Sequence, residues 1–424
     1  MKKFTNLIGI VLAAVIGFSM AACEKKADQK EGEAVDWESI NTDRVIEGNG
    51  IFVATGVTLG VTTEGWENRI VRIAYSRDGK TWKAANTPFP THALGPDNDY
   101  YITAIAYGNK KFVASGWQST GAAYRAKNFI MAYSKDGINW TAANIPTLPE
   151  DNFFPESIAF DNGKFLMLGS SFEGFGEDGP ESVGRILVST DGINWTNEKT
   201  TPSVSGRTGP DGVDRTGEEA MPPAAAPAEW VPSGAAGIAG NGIFVTADNE
   251  GRMAYSHDGK TWSAATNTPF PTQVNYRIRH ITYGNDRFVA SGLQFMGQDS
   301  PPGGFMLAYS PDGINWTKAN CPLPDNTQIN GIAYGNGRFV MISSDNIAVS
   351  TDGGANWTPT DKPFNNTNDT RITFRSITFE QAGEEVLFRV VFQKWETAEW
   401  GGWVSKESDI STMISSDGVD WTVE

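Results

Sequence analysis

Seven serines in this chain each stand two residues ahead of an aspartate, and a tryptophan follows every pair. The sets are Ser76, Asp78 and Trp82; Ser134, Asp136 and Trp140; Ser189, Asp191 and Trp195; Ser256, Asp258 and Trp262; Ser310, Asp312 and Trp316; Ser350, Asp352 and Trp357; and Ser415, Asp417 and Trp421. A hydroxyl beside a carboxylate could serve nucleophilic or acid–base chemistry. Sevenfold repetition argues against it, because a catalytic group is not needed seven times. A structural role fits better. The carboxylate can accept N–H bonds within its own turn, the glycine that follows permits positive φ, and the indole buries roughly 150–250 Å². Other chemistry is poorly supplied. Three histidines, His92, His257 and His280, lack metal-ligand spacing. Two cysteines, Cys23 and Cys321, build neither a disulfide framework nor a thiolate metal site. No metal or other cofactor is expected.

The turns recur every 40 to 67 residues, so the chain is a repeat protein. A second motif precedes each turn. It reads Ile105-Ala106-Tyr107-Gly108-Asn109, then Phe112-Val113-Ala114-Ser115-Gly116. Each unit thus reads as four short strands, with Gly-Asn turning the first hairpin and Asp-Gly the last. With 46 glycines and 14 tryptophans, the composition suits short strands and tight turns. Four-stranded units with a period near 50 residues are the mark of propeller blades. The expected fold is all-β, a seven-bladed β-propeller over residues 43–424, with a long inter-blade insertion at 203–233. The last unit ends with its own fourth strand, so blade 7 should close on blade 1 by packing, without a shared strand.

The repeated turn resembles the Asp-box, or BNR repeat, of pattern S-x-D-x-G-x-x-W. The sixth copy has that spacing, and the other six are the shorter variant. The resemblance covers essentially the whole mature chain and is specific for fold rather than function. It implies that Asp78, Asp136, Asp191, Asp258, Asp312, Asp352 and Asp417 lie on the outer bottom rim, away from the usual ligand site. Sialidases carry this motif, but they have six blades and an Arg-Ile-Pro motif that is absent here, so no sialidase catalytic residue can be carried over. Xyloglucan-active glucanases pair two such propellers. Photosystem assembly factors are single, non-catalytic seven-bladed binding proteins, and that arrangement matches best.

A site is expected on the top face, where strand-two-to-three loops and blade-to-blade connections emerge. Long loops there hold Trp66, Trp117, Tyr124, Arg125, Phe172, Phe175, Trp395, Trp400 and Trp403. Rings flanked by Glu, Gln and Asn suit stacking on sugars, or they pack their own loops. On the innermost strands, the position two residues before the repeated Ile holds Asp43, Thr103, Glu156, Arg279, Asn330 and Arg375 in six units. Its neighbours repeat closely while it varies and stays polar, so it should line the upper channel. Such a ring either holds a polar ligand or neutralises itself. The reading is a non-catalytic binding module for glycan or protein. The alternative is a glycoside hydrolase using paired carboxylates, with Glu156 and Asp43 as the first candidates.

The formal net charge of −16 disfavours nucleic acid, whose phosphates need a basic surface. Lys2 and Lys3 precede an apolar run that ends in Met20-Ala21-Ala22-Cys23. That ending resembles the bacterial lipobox. It implies a signal peptide over 1–22, lipidation of Cys23, a flexible tether over 23–42, and a lipid anchor as the only membrane contact. The expected location is the outer membrane or cell surface, and the expected state is a monomer.

Overall fold

The computed structural model describes residues 34–35, 40–61, 70–79, 81–90, 100–119, 126–148, 153–176, 179–198, 236–247, 251–271, 276–294, 304–324, 327–364, 370–382, 385–397, 403–404 and 410–423. Among these residues every regular element is a strand. The strands form seven antiparallel sheets, each a four-stranded meander. The innermost strands are Ile40–Gly48, Tyr100–Gly108, Phe153–Asp161, Ala236–Gly240, Tyr276–Gly284, Ile329–Gly335 and Thr370–Ala382, for blades 1 to 7. Each neighbours the next, and that of blade 7 neighbours that of blade 1, so the ring is closed. The chain is an all-β, seven-bladed propeller. No described strand of blade 7 pairs with blade 1.

Ala34–Val35 adds a fifth strand at the outer edge of blade 1, with Ala34 opposite Lys83 and Val35 opposite Trp82. The innermost strand of that blade begins at Ile40. Part of the stretch read as tether is therefore β-structure. An outer strand presents unpaired N–H and C=O groups, and the added strand covers them.

The first hairpins turn as their residues dictate. Asn49 and Gly50 have φ of 53° and 69°, as a type I′ turn requires. These turns and the Ser-x-Asp turns share one face, called the bottom here. In blade 2, Ser134 Oγ donates to Asp136 Oδ1 at 2.9 Å. That oxygen also accepts the N–H groups of Ile138 at 2.9 Å and Asn139 at 2.8 Å. Trp140 Nε1 donates to the Gly137 carbonyl at 3.0 Å. At Asp191 burial pushes the carboxyl up. The N–H groups of Asn194 and Ile193, with the Asn194 and Ser189 side chains, outweigh it and hold the value at about 2.

Each turn also grips the preceding blade. A Cβ on Gly137 would lie 2.8 Å from Val53 of blade 1, and one on Gly313 would lie 2.6 Å from Val245 of blade 4. The chain leaving blade 1 reaches over to blade 2. Asn86 N donates to the Ile138 carbonyl at 2.8 Å, and Trp140 N donates to the Asn86 carbonyl at 2.9 Å. The same parallel bridge joins Asn144 to Asn194, Thr266 to Asn315, and Asn320 to Asn356. Between blades 3 and 4, Lys260 meets Glu198 at 2.7 Å.

Asp136 accepts the N–H groups of Ile138 and Asn139, the Asn139 side chain and the Ser134 hydroxyl, so Asp136→Ala, which loses these charged hydrogen bonds, should cost roughly 1–3 kcal/mol. Trp140 is 6% exposed and belongs to the core shared by blades 1 and 2. Trp140→Ala should therefore cost roughly 3–5 kcal/mol. Urea unfolding of both variants checks this, and an Asp136→Ala protein as stable as the wild type would refute the structural role.

Candidate ligand site at the mouth of the channel

The six varying polar positions share one backbone feature. In blade 2, Ile102 pairs with Gly116 and Ala104 pairs with Ser115, which leaves Thr103 as an extra residue. The same interruption falls at Asp43, Glu156, Arg279, Asn330 and Arg375. Blade 4 has an unbroken register over Ala236–Gly240. Each of the six residues is thus the extra residue of a β-bulge. A bulge bends its strand and re-aims the side chain of the extra residue. The glycine that ends the second motif sits beside it. A Cβ on Gly116 would lie 2.5 Å from the Tyr100 ring and 2.6 Å from the Tyr101 carbonyl oxygen.

Blades 5, 6 and 7 build a cationic pocket. Arg277, Ile278, Arg279, His280, Ile329, Asn330 and Arg375 line a cavity of about 370 Å³, and none of the seven is acidic. Burial and then the nearby Arg277 lower the pKa of Arg279, as expected where guanidiniums crowd together. The pocket is braced across blades. Asn330 Nδ2 donates to the Phe374 carbonyl at 2.7 Å, and His280 Nε2 lies 3.2 Å from the Ile329 carbonyl. Arg375 donates to Gln393 Oε1, whose residue is 5% exposed.

Blades 2 and 3 build a different surface. The Trp117 ring lies 5.4 Å from Tyr101 and 4.8 Å, edge-on, from Phe154 of the next blade. All three rings are half-buried. Glu156 follows Phe154 by two residues. Its Oε1 accepts from Ser170 Oγ at 2.9 Å, while its Oε2 is closed to solvent and has no hydrogen-bond partner. Burial pushes this carboxyl up to about 7, although the Ser170 bond pulls the other way.

Glu156, Arg279 and Arg375 thus hold one equivalent position on the innermost strands of blades 3, 5 and 7, and Arg279 and Arg375 share one cavity. Trp395 is half-buried opposite Arg371, and its Nε1 is closed to solvent without a partner. Trp403 begins a two-residue strand that pairs with Thr397. The side chains of Asp43 and Trp403, and the whole of Cys23, Trp66, Tyr124, Arg125 and Trp400, lie outside the described residues. Several segments read as loops are strands instead. Trp117 lies in Lys111–Ser119, Phe172 and Phe175 in Lys164–Gly176, and Trp395 in Glu385–Thr397. Aromatic residues favour a pleated, half-buried surface, so these hairpins continue upward. Sequence reasoning missed Arg277, Tyr101 and Phe154. The signal was present, since all three stand two residues before the varying polar position.

No protein-family model matches the chain, and no curated protein matches it in sequence. Solved structures share its fold at low identity. A structure described as YCF48 bound to D1 peptide is 16% identical, with 91% of this chain and 95% of that chain covered and a TM-score of 0.47. The GH93 α-L-arabinofuranosidase of Fusarium graminearum with arabinobiose is 14% identical, covering 70% and 88%, with a TM-score of 0.41. Trypanosoma rangeli sialidase is 13% identical, covering 78% and 57%, with a TM-score of 0.39. Likenesses this distant carry no inference about ligand or chemistry.

The Glu156 value sets a pH dependence. Its folded pKa of about 7 lies above the ordinary 4.5, so the folded state binds the proton more tightly. The stability linked to it is complete below about 4.5 and is lost as pH rises through about 7, by roughly 3 kcal/mol. Glu156→Gln removes this titration. Denaturant unfolding at pH 5 and pH 8 should show the variant gaining on the wild type at pH 8. Parallel stabilities at both pH values would contradict the assigned burial.

Proposed function

We propose that this protein is an exported, lipid-anchored Asp-box propeller that binds a glycan bearing anionic groups at the top mouth of its channel, without catalysis. The observation that carries the reading is the convergence of Arg277, Arg279 and Arg375 in one cavity with His280 and Asn330. Guanidiniums present fixed forks of N–H donors that match carboxylate and sulfate oxygens. The protein as a whole is strongly acidic, at −16. A local cluster of cations therefore stands out as a place for an anion and gives it a direction of approach.

A second reading is supported by Glu156 alone. A buried carboxyl titrating at about 7 has the character of a general acid. Glycoside hydrolysis would then require a second carboxylate roughly 5–9.5 Å away, and Asp43 is the candidate on another bulge.

A glycan array with acidic and neutral oligosaccharides, followed by a reducing-sugar assay on every hit, separates the two readings. Binding of acidic glycans without sugar release is expected. Arg375→Met should weaken it roughly 10–100-fold, as for a lost charged hydrogen bond. Binding that ignores this substitution, or exclusive binding of acidic peptides, would sink the glycan reading. The anchor is tested separately. Cys23→Ser should leave the precursor unprocessed or release soluble protein, and a variant of normal mature size still held in the membrane would refute lipidation.

A further inference from the structure

The same two positions recur on each bulged strand: the bulge residue and the residue two before it. In blade 5 they are Arg279 and Arg277, and in blade 7 Arg375 and Thr373. In blade 2 they are Thr103 and Tyr101, and in blade 3 Glu156 and Phe154. One backbone device therefore builds two chemistries on opposite arcs of the ring. Blades 5 and 7 supply the cations, and blade 6 between them supplies Asn330. Blades 2 and 3 carry an aromatic residue above an uncharged or buried acidic one, and Trp117 is wedged between the two rings.

We infer that Tyr101, Trp117 and Phe154, with Thr103 and Glu156 beside them, form a second subsite for an uncharged sugar ring, so that the whole site fits an oligosaccharide alternating charged and neutral units. This rests on the anionic-glycan reading above and names its ligand class. Half-buried rings offer faces and edges to the C–H surface of a sugar. Thr103 Oγ1 and Glu156 Oε2 are closed to solvent without a hydrogen-bond partner. Buried polar atoms left unmatched are uncommon, and each calls for a partner. A sugar hydroxyl can donate to the carboxyl oxygen and accept from the threonine, provided a side chain moves aside to admit it. A second anionic unit is disfavoured, because it would add negative charge beside a carboxyl that is itself about half ionised at pH 7. Ordered water is the other occupant these atoms admit, and the test separates the two.

Calorimetry on the full mature protein at pH 7 uses three probes. They are a hyaluronan octasaccharide, which alternates uronate with N-acetylhexosamine; an oligogalacturonate of the same length, charged throughout; and an uncharged N-acetylglucosamine oligomer. Hyaluronan should bind at least about tenfold more tightly than either of the others. Trp117→Ala should reduce hyaluronan affinity about tenfold and leave oligogalacturonate unchanged. Phe154→Leu should act in the same direction, which keeps the test open if Trp117→Ala fails to fold. Arg375→Met should weaken both acidic probes. Equal affinity for the two acidic probes would overturn the second subsite, as would Trp117→Ala and Phe154→Leu variants without effect, and would mean that water fills the buried polar positions. The anionic pocket would still stand as long as Arg375→Met retains its effect. Loss of that effect, or no binding of either acidic probe, would instead overturn the functional reading on which the subsite depends.

Discussion

The fold depends on one repeated contact: a Ser-x-Asp turn pressed against the blade before it. A lone four-stranded blade is too small to bury its own faces, so it is stable only between neighbours. Glycine at the turn makes the approach close enough. A side chain at Gly137 would collide with Val53 and one at Gly313 with Val245. The hydrogen bonds inside the turn hold that glycine in place, and the backbone bridge from Asn86 to Ile138 and Trp140 locks it to the previous outer strand. Closer to the axis the same logic uses aromatic rings. A Cβ on Gly108 would meet Phe160 at 2.0 Å, and one on Gly335 would meet Phe379 at 1.9 Å. The junction of blades 3 and 4 departs from both patterns together. Asp161 replaces the glycine and Ala239 the ring, and the Asp161 carboxylate accepts the Gly242 N–H at 2.6 Å.

With the bottom so constrained, variation is left to the top. A bulge residue stands outside the strand register, so its identity is less constrained by the packing that fixes its neighbours. Across six blades that one position runs from carboxylate to hydroxyl, carboxamide and guanidinium. The ring can therefore change its chemistry blade by blade without touching the contacts that close it. Glu156 shows the limit of this freedom. Its burial raises its pKa to about 7, a destabilising choice at neutral pH that packing alone does not require.

Much of this was legible in the residues. Seven Ser-x-Asp turns and the Gly-Asn hairpins state the blade count and the strand order, because each turn type demands its own residues. The polar position before each repeated Ile stood out, since it alone varied in a motif that otherwise repeats, and three of its six occupants line one cavity. The bulge at that position was not legible, because an extra residue in one strand is seen only against its partner. Its trace was the Gly of Phe112-Val113-Ala114-Ser115-Gly116, which leaves room for the displaced backbone. The grouping of Arg277 with Arg279 and Arg375 also escaped the sequence, because it depends on which blades sit side by side. Trp117 and Trp395 were read as loop residues because their segments exceed a usual blade strand, whereas cross-strand pairing carries the hairpins on upward.

The central claim is that the bottom turns make the structure and the bulges make the site. The most direct test is one variant in which Asp43, Glu156, Arg279, Asn330 and Arg375 all become threonine, the residue blade 2 already carries at Thr103. Its thermal unfolding and its glycan-array profile are compared with the wild type. The account predicts a cooperative transition within roughly 5 °C of the wild type, with the array signal lost. A variant that no longer folds, or one that folds and keeps the wild-type profile, would contradict it.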